Sequence, residues 1–132
     1  MQIDDNYLSF KDEIILLDNE YLTGTIKSLD ADSKVIVAKE NDILLGYIYY
    51  TLVLDEAEIV SICVKKEARR SGVATKMLDY LMNKQINFCY LEVKDKNQGA
   101  LNLYLKYGFK EYLRRKNYYS DNSDAILMKW GR

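Results

Sequence analysis

Between Val35 and Val64 the chain carries three β-rich runs parted by only two short polar breaks, and this spacing limits the fold more than any other feature. Val35-Ile36-Val37-Ala38 stops at Asn41-Asp42, the run from Leu44 to Leu54 stops at Asp55-Glu56, and Ala57 to Val64 follows. Strands joined by tight polar turns pair antiparallel, so the three form a meander. The period then changes. From Gly72 to about Gln85, Val73, Met77, Leu78, Leu81 and Met82 recur at helical spacing. Phe88 to Val93 returns to strand, and Ala100, Leu101, Leu103, Tyr104 and Tyr107 outline a second amphipathic helix, with Gly108 where a C-terminal glycine belongs. Phe109 to Lys116 and Asp124 to Trp130 close the chain as two strands around a polar loop. The predicted class is α+β: a mixed, mostly antiparallel sheet with one parallel crossover, flanked by helices. Ahead of the meander, Ile14-Ile15-Leu16-Leu17 and Tyr21-Leu22…Ile26…Leu29 suit short helices.

Nothing marks a linker. The 132 residues contain no proline, no repeat and no low-complexity stretch, so residues 1–132 are expected to form a single domain. No apolar run approaches the roughly 18 residues of a membrane helix, and the acidic start Met1-Gln2-Ile3-Asp4-Asp5 does not resemble an export signal. Cys63 and Cys89 lie in apolar runs and are expected to be buried strand thiols, which places the chain in the cytoplasm. The complete lack of histidine excludes an imidazole base, a Ser-His or Cys-His dyad and a histidine metal site. Any general base is therefore a carboxylate, lysine, cysteine, tyrosine or water, and no metal is expected.

A net charge of −1 argues against stable nucleic-acid binding, but it conceals a division. Met1 to Glu58 holds 13 acids and 4 bases, a net of −9; Ile59 to Arg132 holds 7 acids and 15 bases, a net of +8. Such asymmetry fits an anionic ligand on one side and a cationic one on the other, or equally mutual attraction and solvated surface charge. Within the basic half, Arg69-Arg70-Ser71-Gly72-Val73-Ala74 stands between strand and helix. A helix start presents unpaired N–H groups and partial positive charge, Gly72 admits close approach of a bulky anion, and the arginines add fixed charge. The Gly-Lys-Ser/Thr of a Walker loop is missing, as are the first two glycines of a dinucleotide fingerprint. A pyrophosphate site of another type remains, beside the plainer reading of an ordinary helix start.

Arg69-x-x-Gly72-x-Ala74 after Ile62-Cys63-Val64 resembles the coenzyme A pyrophosphate motif of the GNAT superfamily of N-acetyltransferases. Leu91-Glu92-Val93, Asn97, Ala100, Leu103-Tyr104 and Tyr107-Gly108-Phe109 resemble that family's second motif. With Leu54-Asp55-Glu56-Ala57, Asn117-Tyr118-Tyr119 and Asp124-Ala125-Ile126, the pattern is most similar to bacterial ribosomal-protein alanine N-acetyltransferases, over roughly two-thirds of the chain. The resemblance implies a GNAT-like sheet and acetyl-CoA as co-substrate. It implies that Ile62, Cys63 and Val64 pair with the acetyl-pantetheine arm, and that Arg69, Arg70, Ser71, Gly72, Val73, Ala74 and Thr75 seat the pyrophosphate. Asn97 and Tyr104 would touch the cofactor; Glu92 would be the general base and Tyr104 the general acid. The acceptor implied is a protein N-terminus, a ribosomal protein among the candidates, or a small amine. The usual first strand and first helical region are shortened relative to the family and lack its tryptophan, which bears on the acceptor.

The chemistry is consistent with these residue types. An α-amino group with a pKa near 8 is already about one-tenth neutral at pH 7, whereas a lysine near 10.4 needs about 3.4 units of help. A carboxylate is adequate for the first and poor for the second. A tyrosine stays protonated and can supply a departing thiolate. Two alternatives stay open on sequence: a lysine or small-amine acetyltransferase, and a non-catalytic acyl-CoA-binding module. Arg114-Arg115-Lys116 with Tyr118 and Tyr119 fits a grip on an acceptor, RNA or cofactor, or a solvated edge strand.

Overall fold

The computed structural model describes residues 1–21 and 24–132. Its elements run β1 (Gln2–Asp4), a 3-10 turn (Leu8–Phe10), α1 (Lys11–Tyr21), β2 (Lys34–Glu40), β3 (Ile43–Val53) and β4 (Glu56–Val64). A second 3-10 turn (Lys66–Ala68), α2 (Val73–Met82), β5 (Phe88–Lys94), α3 (Gln98–Tyr107), β6 (Lys110–Arg115) and β7 (Ala125–Gly131) complete the chain. The seven strands lie in the order β1-β2-β3-β4-β5-β7-β6. Pairing is antiparallel for β1/β2, β2/β3, β5/β7 and β6/β7 and parallel for β4/β5, so the mixed sheet with a single parallel crossover is as expected.

The chain divides into two compact units, Met1–Thr51 with Val60–Gln85, and Leu52–Ile59 with Ile86–Arg132. In the first, β2 pairs with β3 from Lys34↔Tyr50 to Glu40↔Ile43, turning through Asn41 and Asp42, whose φ values of 51° and 63° suit asparagine and aspartate. The apolar spacing of α1 puts Ile14 and Leu17 into a core with Tyr7, Ile26, Leu29, Val35, Val37, Leu44, Tyr47 and Cys63. Asp12 and Glu13 in the first turn of α1 oppose its dipole favourably. Gly46 is required by close approach: a Cβ there would stand 2.7 Å from the Cys63 carbonyl oxygen and 3.2 Å from Val64 Cα.

In the second unit, β4 and β5 run parallel with Glu56↔Phe88, Ala57↔Cys89 and Glu58↔Tyr90 in register, and β5 pairs with β7 along its whole length. Cys89, Leu91 and Val93 are buried, while the alternate residues Tyr90, Glu92 and Lys94 are half-buried or exposed. α3 packs against β5 and ends at Gly108, whose φ of 119° confirms the C-terminal glycine. β6 is exposed along its entire length, so the Arg114-Arg115-Lys116 run begins on a solvated edge strand.

Several expectations need correction. Ile26 and Leu29 are buried, but residues 24–30 form no helix; Leu22 lies outside the described residues. The physical reason is that tertiary bonds hold this segment: the Ile26 N–H donates to Asp18 Oδ2 at 2.8 Å, and the Tyr7 hydroxyl sits between the carbonyl oxygens of Asp30 and Ser33. The second turn falls at Leu54-Asp55 instead of Asp55-Glu56, with Leu54 at φ 58°. α2 ends at Met82, about three residues early, and Gln85 with φ 63° cannot continue it. A first strand is present, three residues long, that the residue pattern did not announce.

Candidate active site

The turn ahead of α2 is built from one unit's residues. β4 delivers Ile62, Cys63 and Val64; Cys63 points into the core and Ile62 and Val64, half-buried, alternate with it. The chain then makes a 3-10 turn, and Arg69 returns its Nε to the Val64 carbonyl at 3.0 Å, tying the turn to the strand end. Ser71 Oγ donates to the Ala68 carbonyl at 2.6 Å. Arg70 and Gly72 both adopt left-handed backbone, φ 63° and 82°, with Gly72 as N-cap of α2. No side chain caps this helix start, its first turn carries no acid, and nothing lies within 4 Å of where a Gly72 Cβ would be. Arg69, Arg70, Ser71, Gly72 and Thr75 are exposed, Ala74 is half-buried, and Val73 is buried as the anchor of α2. The leading amides of α2 therefore have no side-chain cap, and the helix dipole stands behind them, with exposed Arg69 and Arg70 just before it in the chain. Such a helix start can accept an anionic group.

The second set of residues lies in the other unit. Glu92, on the exposed face of β5 opposite Leu127 in register, accepts a hydrogen bond at Oε2 from the Tyr119 hydroxyl at 2.7 Å. Tyr119 is held in turn: its ring stands edge-on to Tyr118 at 5.2 Å and beneath Lys94 Nζ at 4.7 Å. Burial, and then the carboxylate it donates to, push the Tyr119 phenol well above its ordinary value, so it stays protonated. Tyr104 is 5% exposed on α3, with its ring against Phe109 at 5.7 Å. Asn97 caps α3 by accepting from the Ala100 N–H at 3.2 Å, an intramolecular role that the sequence reading did not include.

Sequence reasoning missed two contacts. One is Tyr119–Glu92: the paired tyrosines were visible, but nothing in a separation of 27 residues points to the carboxylate. The other is a buried relay in the first unit, where Ser61 Oγ donates to Asp18 Oδ1 at 2.8 Å and lies 2.8 Å from the Tyr47 hydroxyl. Asp18 is fully buried, and burial drives the Tyr47 phenol upward. Cys63 and Cys89 are both unpaired and buried; burial pushes the Cys89 thiol up to about 12 and raises Cys63 as well, so neither is a nucleophile at neutral pH. Among the described residues no group of three or more His, Cys, Asp or Glu side chains could hold a metal ion, and no helix is long and apolar enough to cross a membrane.

The acetyltransferase (GNAT) family model matches residues 3–109, and the chain belongs to that family of acetyl-CoA-dependent acyltransferases. An N-alpha-acetyltransferase of Sulfurisphaera tokodaii is 41% identical over 78 residues, covering 55% of this chain and 47% of that protein. A putative ribosomal protein bS18-alanine N-acetyltransferase of Bacillus subtilis is 31% identical over 99 residues, covering 72% of this chain and 66% of the relative. These matches span about half to two thirds of the curated relatives' own length. The crystal structure of the Escherichia coli ribosomal-protein-S18-alanine N-acetyltransferase superimposes with a TM-score of 0.85 over 98% of this chain and 92% of that one; at 22% identity the likeness is one of fold.

Proposed function

We propose that residues 1–132 act as one N-acetyltransferase domain that moves an acetyl group from acetyl-CoA to a protein α-amino group, of the ribosomal-protein alanine type. The observation that carries this reading is the turn at Gly72, where left-handed backbone, an uncapped helix start and two arginines form a seat for the cofactor's pyrophosphate. Ile62, Cys63 and Val64 serve the acetyl-pantetheine arm, and Asn97 and Tyr104 contribute contacts further along the cofactor. Two reduced, buried thiols fit a cytoplasmic setting.

Starting from the acceptor ammonium, nitrogen loses two protons and sulfur gains one. Glu92, directly or through a water, takes a proton from the acceptor ammonium. The free amine nitrogen then attacks the thioester carbonyl carbon, forming the C–N bond. As the C–S bond breaks, Tyr104 gives its proton to the departing thiolate, and the second proton of the attacking nitrogen returns to the tyrosinate, directly or through water. A tyrosine near pKa 10 is protonated at neutral pH and can supply a thiolate whose conjugate acid lies near 8.5. An exposed carboxylate is a weak base, which favours an acceptor already about one-tenth neutral at pH 7 over a lysine. The B. subtilis relative, 31% identical and named for ribosomal-protein alanine acetylation, supports the same choice of acceptor.

The test is mass spectrometry of peptides incubated with acetyl-CoA and the protein. A peptide with a free N-terminal alanine should gain one acetyl group on its α-nitrogen, and an N-terminally blocked, lysine-containing peptide should gain none. Acetylation of the blocked peptide alone would move the activity to side-chain amines. No product across a panel of N-termini would defeat the proposal.

A further inference from the structure

We propose that Tyr119 is a positioning residue for Glu92: its hydroxyl holds one carboxylate oxygen and leaves the other to receive the proton of an α-ammonium group. The inference rests on the reading of Glu92 as general base. Its foundation is the 2.7 Å bond from Tyr119 Oη to Glu92 Oε2. Tyr119 is no mobile surface ring that happens to touch a carboxylate. The Tyr118 and Tyr119 N–H groups both donate to the Ser123 carbonyl, at 3.0 and 3.2 Å, and Asn122 N–H donates back to the Tyr119 carbonyl at 2.9 Å. Asp124 accepts from the Asn117 N–H and from Arg114, while its own N–H donates to Asp95. The loop is thereby tied to both β5 and β6.

Several charged and titratable groups stand on the elements around Glu92, with Tyr104, Lys106 and Tyr107 on α3, which packs against β5. Its own strand contributes Tyr90 and Lys94; β7 contributes uncharged Leu127 opposite it and Lys129 opposite Tyr90; β4 contributes Glu58, in register with Tyr90. The loop contributes Tyr118, Tyr119 and Asp121, the last 3.8 Å from Lys94 Nζ, and the turn after β5 contributes Lys96, whose Nζ donates to the Asp121 carbonyl. Tyr119 is the phenol in this set that bonds to Glu92, and it stays neutral because burial and the adjacent carboxylate both oppose its ionisation. The bond from Tyr119 holds one oxygen of Glu92 in place. Tyr119 thus sets the orientation of the base.

Two measurements on the intact protein test this. The first follows the Glu92 carboxyl carbon by NMR through a pH titration, in wild type and Tyr119→Phe. The second records the pH profile of kcat/KM for an N-terminal peptide in both, with Glu92→Gln as reference. In Tyr119→Phe kcat should fall about tenfold with KM for acetyl-CoA unchanged, and the Glu92 carboxyl resonance should leave its wild-type position. An unchanged kcat, with the carboxyl resonance unmoved and Glu92→Gln nearly inactive, overturns the role of Tyr119 while leaving the base assignment standing. A Glu92→Gln enzyme as fast as wild type removes the base assignment and this proposal together.

Discussion

Glu92 is one of 20 acids in the chain; it accepts a tyrosine hydroxyl on one oxygen and stands on the exposed face of its strand. If it is the base, Glu92→Gln should lower kcat for an N-terminal peptide by roughly 10²- to 10⁴-fold. Acetyl-CoA binding, followed by calorimetry, should stay intact. Asp18 is the contrasting carboxylate. It is fully buried, with its two oxygens satisfied by the Ile26 N–H and Ser61 Oγ, so its role is to hold the 24–30 segment to α1 and β4. Asp18→Ala strands both donors and should lower unfolding free energy by about 1–3 kcal/mol, read from a denaturant midpoint. The two carboxylates were unequally legible. Glu92 stands in a recognisable run, Leu91-Glu92-Val93, whereas Asp18 bonds to a residue 43 positions away and gives no local signal.

Elements announced themselves where local chemistry decided their ends. The dipeptide Asn41-Asp42 tolerates left-handed backbone and Gly108 closes α3, so those boundaries could be read directly. Residues 24–30 misled because Ile26 and Leu29 are buried at helical spacing while Asp18 and Tyr7 take the backbone groups a helix would use. β1 is too short for a period to show. At this scale Gly46→Ala is informative: the added Cβ meets backbone of β4, which cannot swing away as a side chain would. It should cost about 1–3 kcal/mol of stability. It should also raise KM for acetyl-CoA, because Cys63 and Val64 are the residues displaced. The loop that carries Tyr119 makes a pH prediction. The Ser123 hydroxyl and N–H hold the Asp121 carboxyl below its usual range, and the Asn117 N–H and Arg114 do the same for Asp124. A carboxylate with a depressed folded value stabilises above its unfolded value and loses that contribution as pH falls through the folded one. Amide exchange at Tyr118 and Tyr119 should therefore stay slow at pH 5 and accelerate only below about pH 4.

For the molecule as a whole, the proposed roles divide along the chain: the cofactor turn belongs to one compact unit and the base and acid to the other. The sequence carried the strand order's essential feature, one parallel crossover through α2, because the period switched there from two to about 3.6. It carried no sign of the bonds that tie distant segments, since those depend on the finished fold. The net +8 of Ile59 to Arg132 includes Arg69 and Arg70 at the proposed seat, so acetyl-CoA affinity should fall with added salt as their field is screened. The most direct measurement is an amide-resolved NMR titration of the protein with coenzyme A. The account predicts the largest shifts at the N–H groups of Gly72, Val73, Ala74 and Thr75; a titration that leaves these four still while other amides move would contradict it.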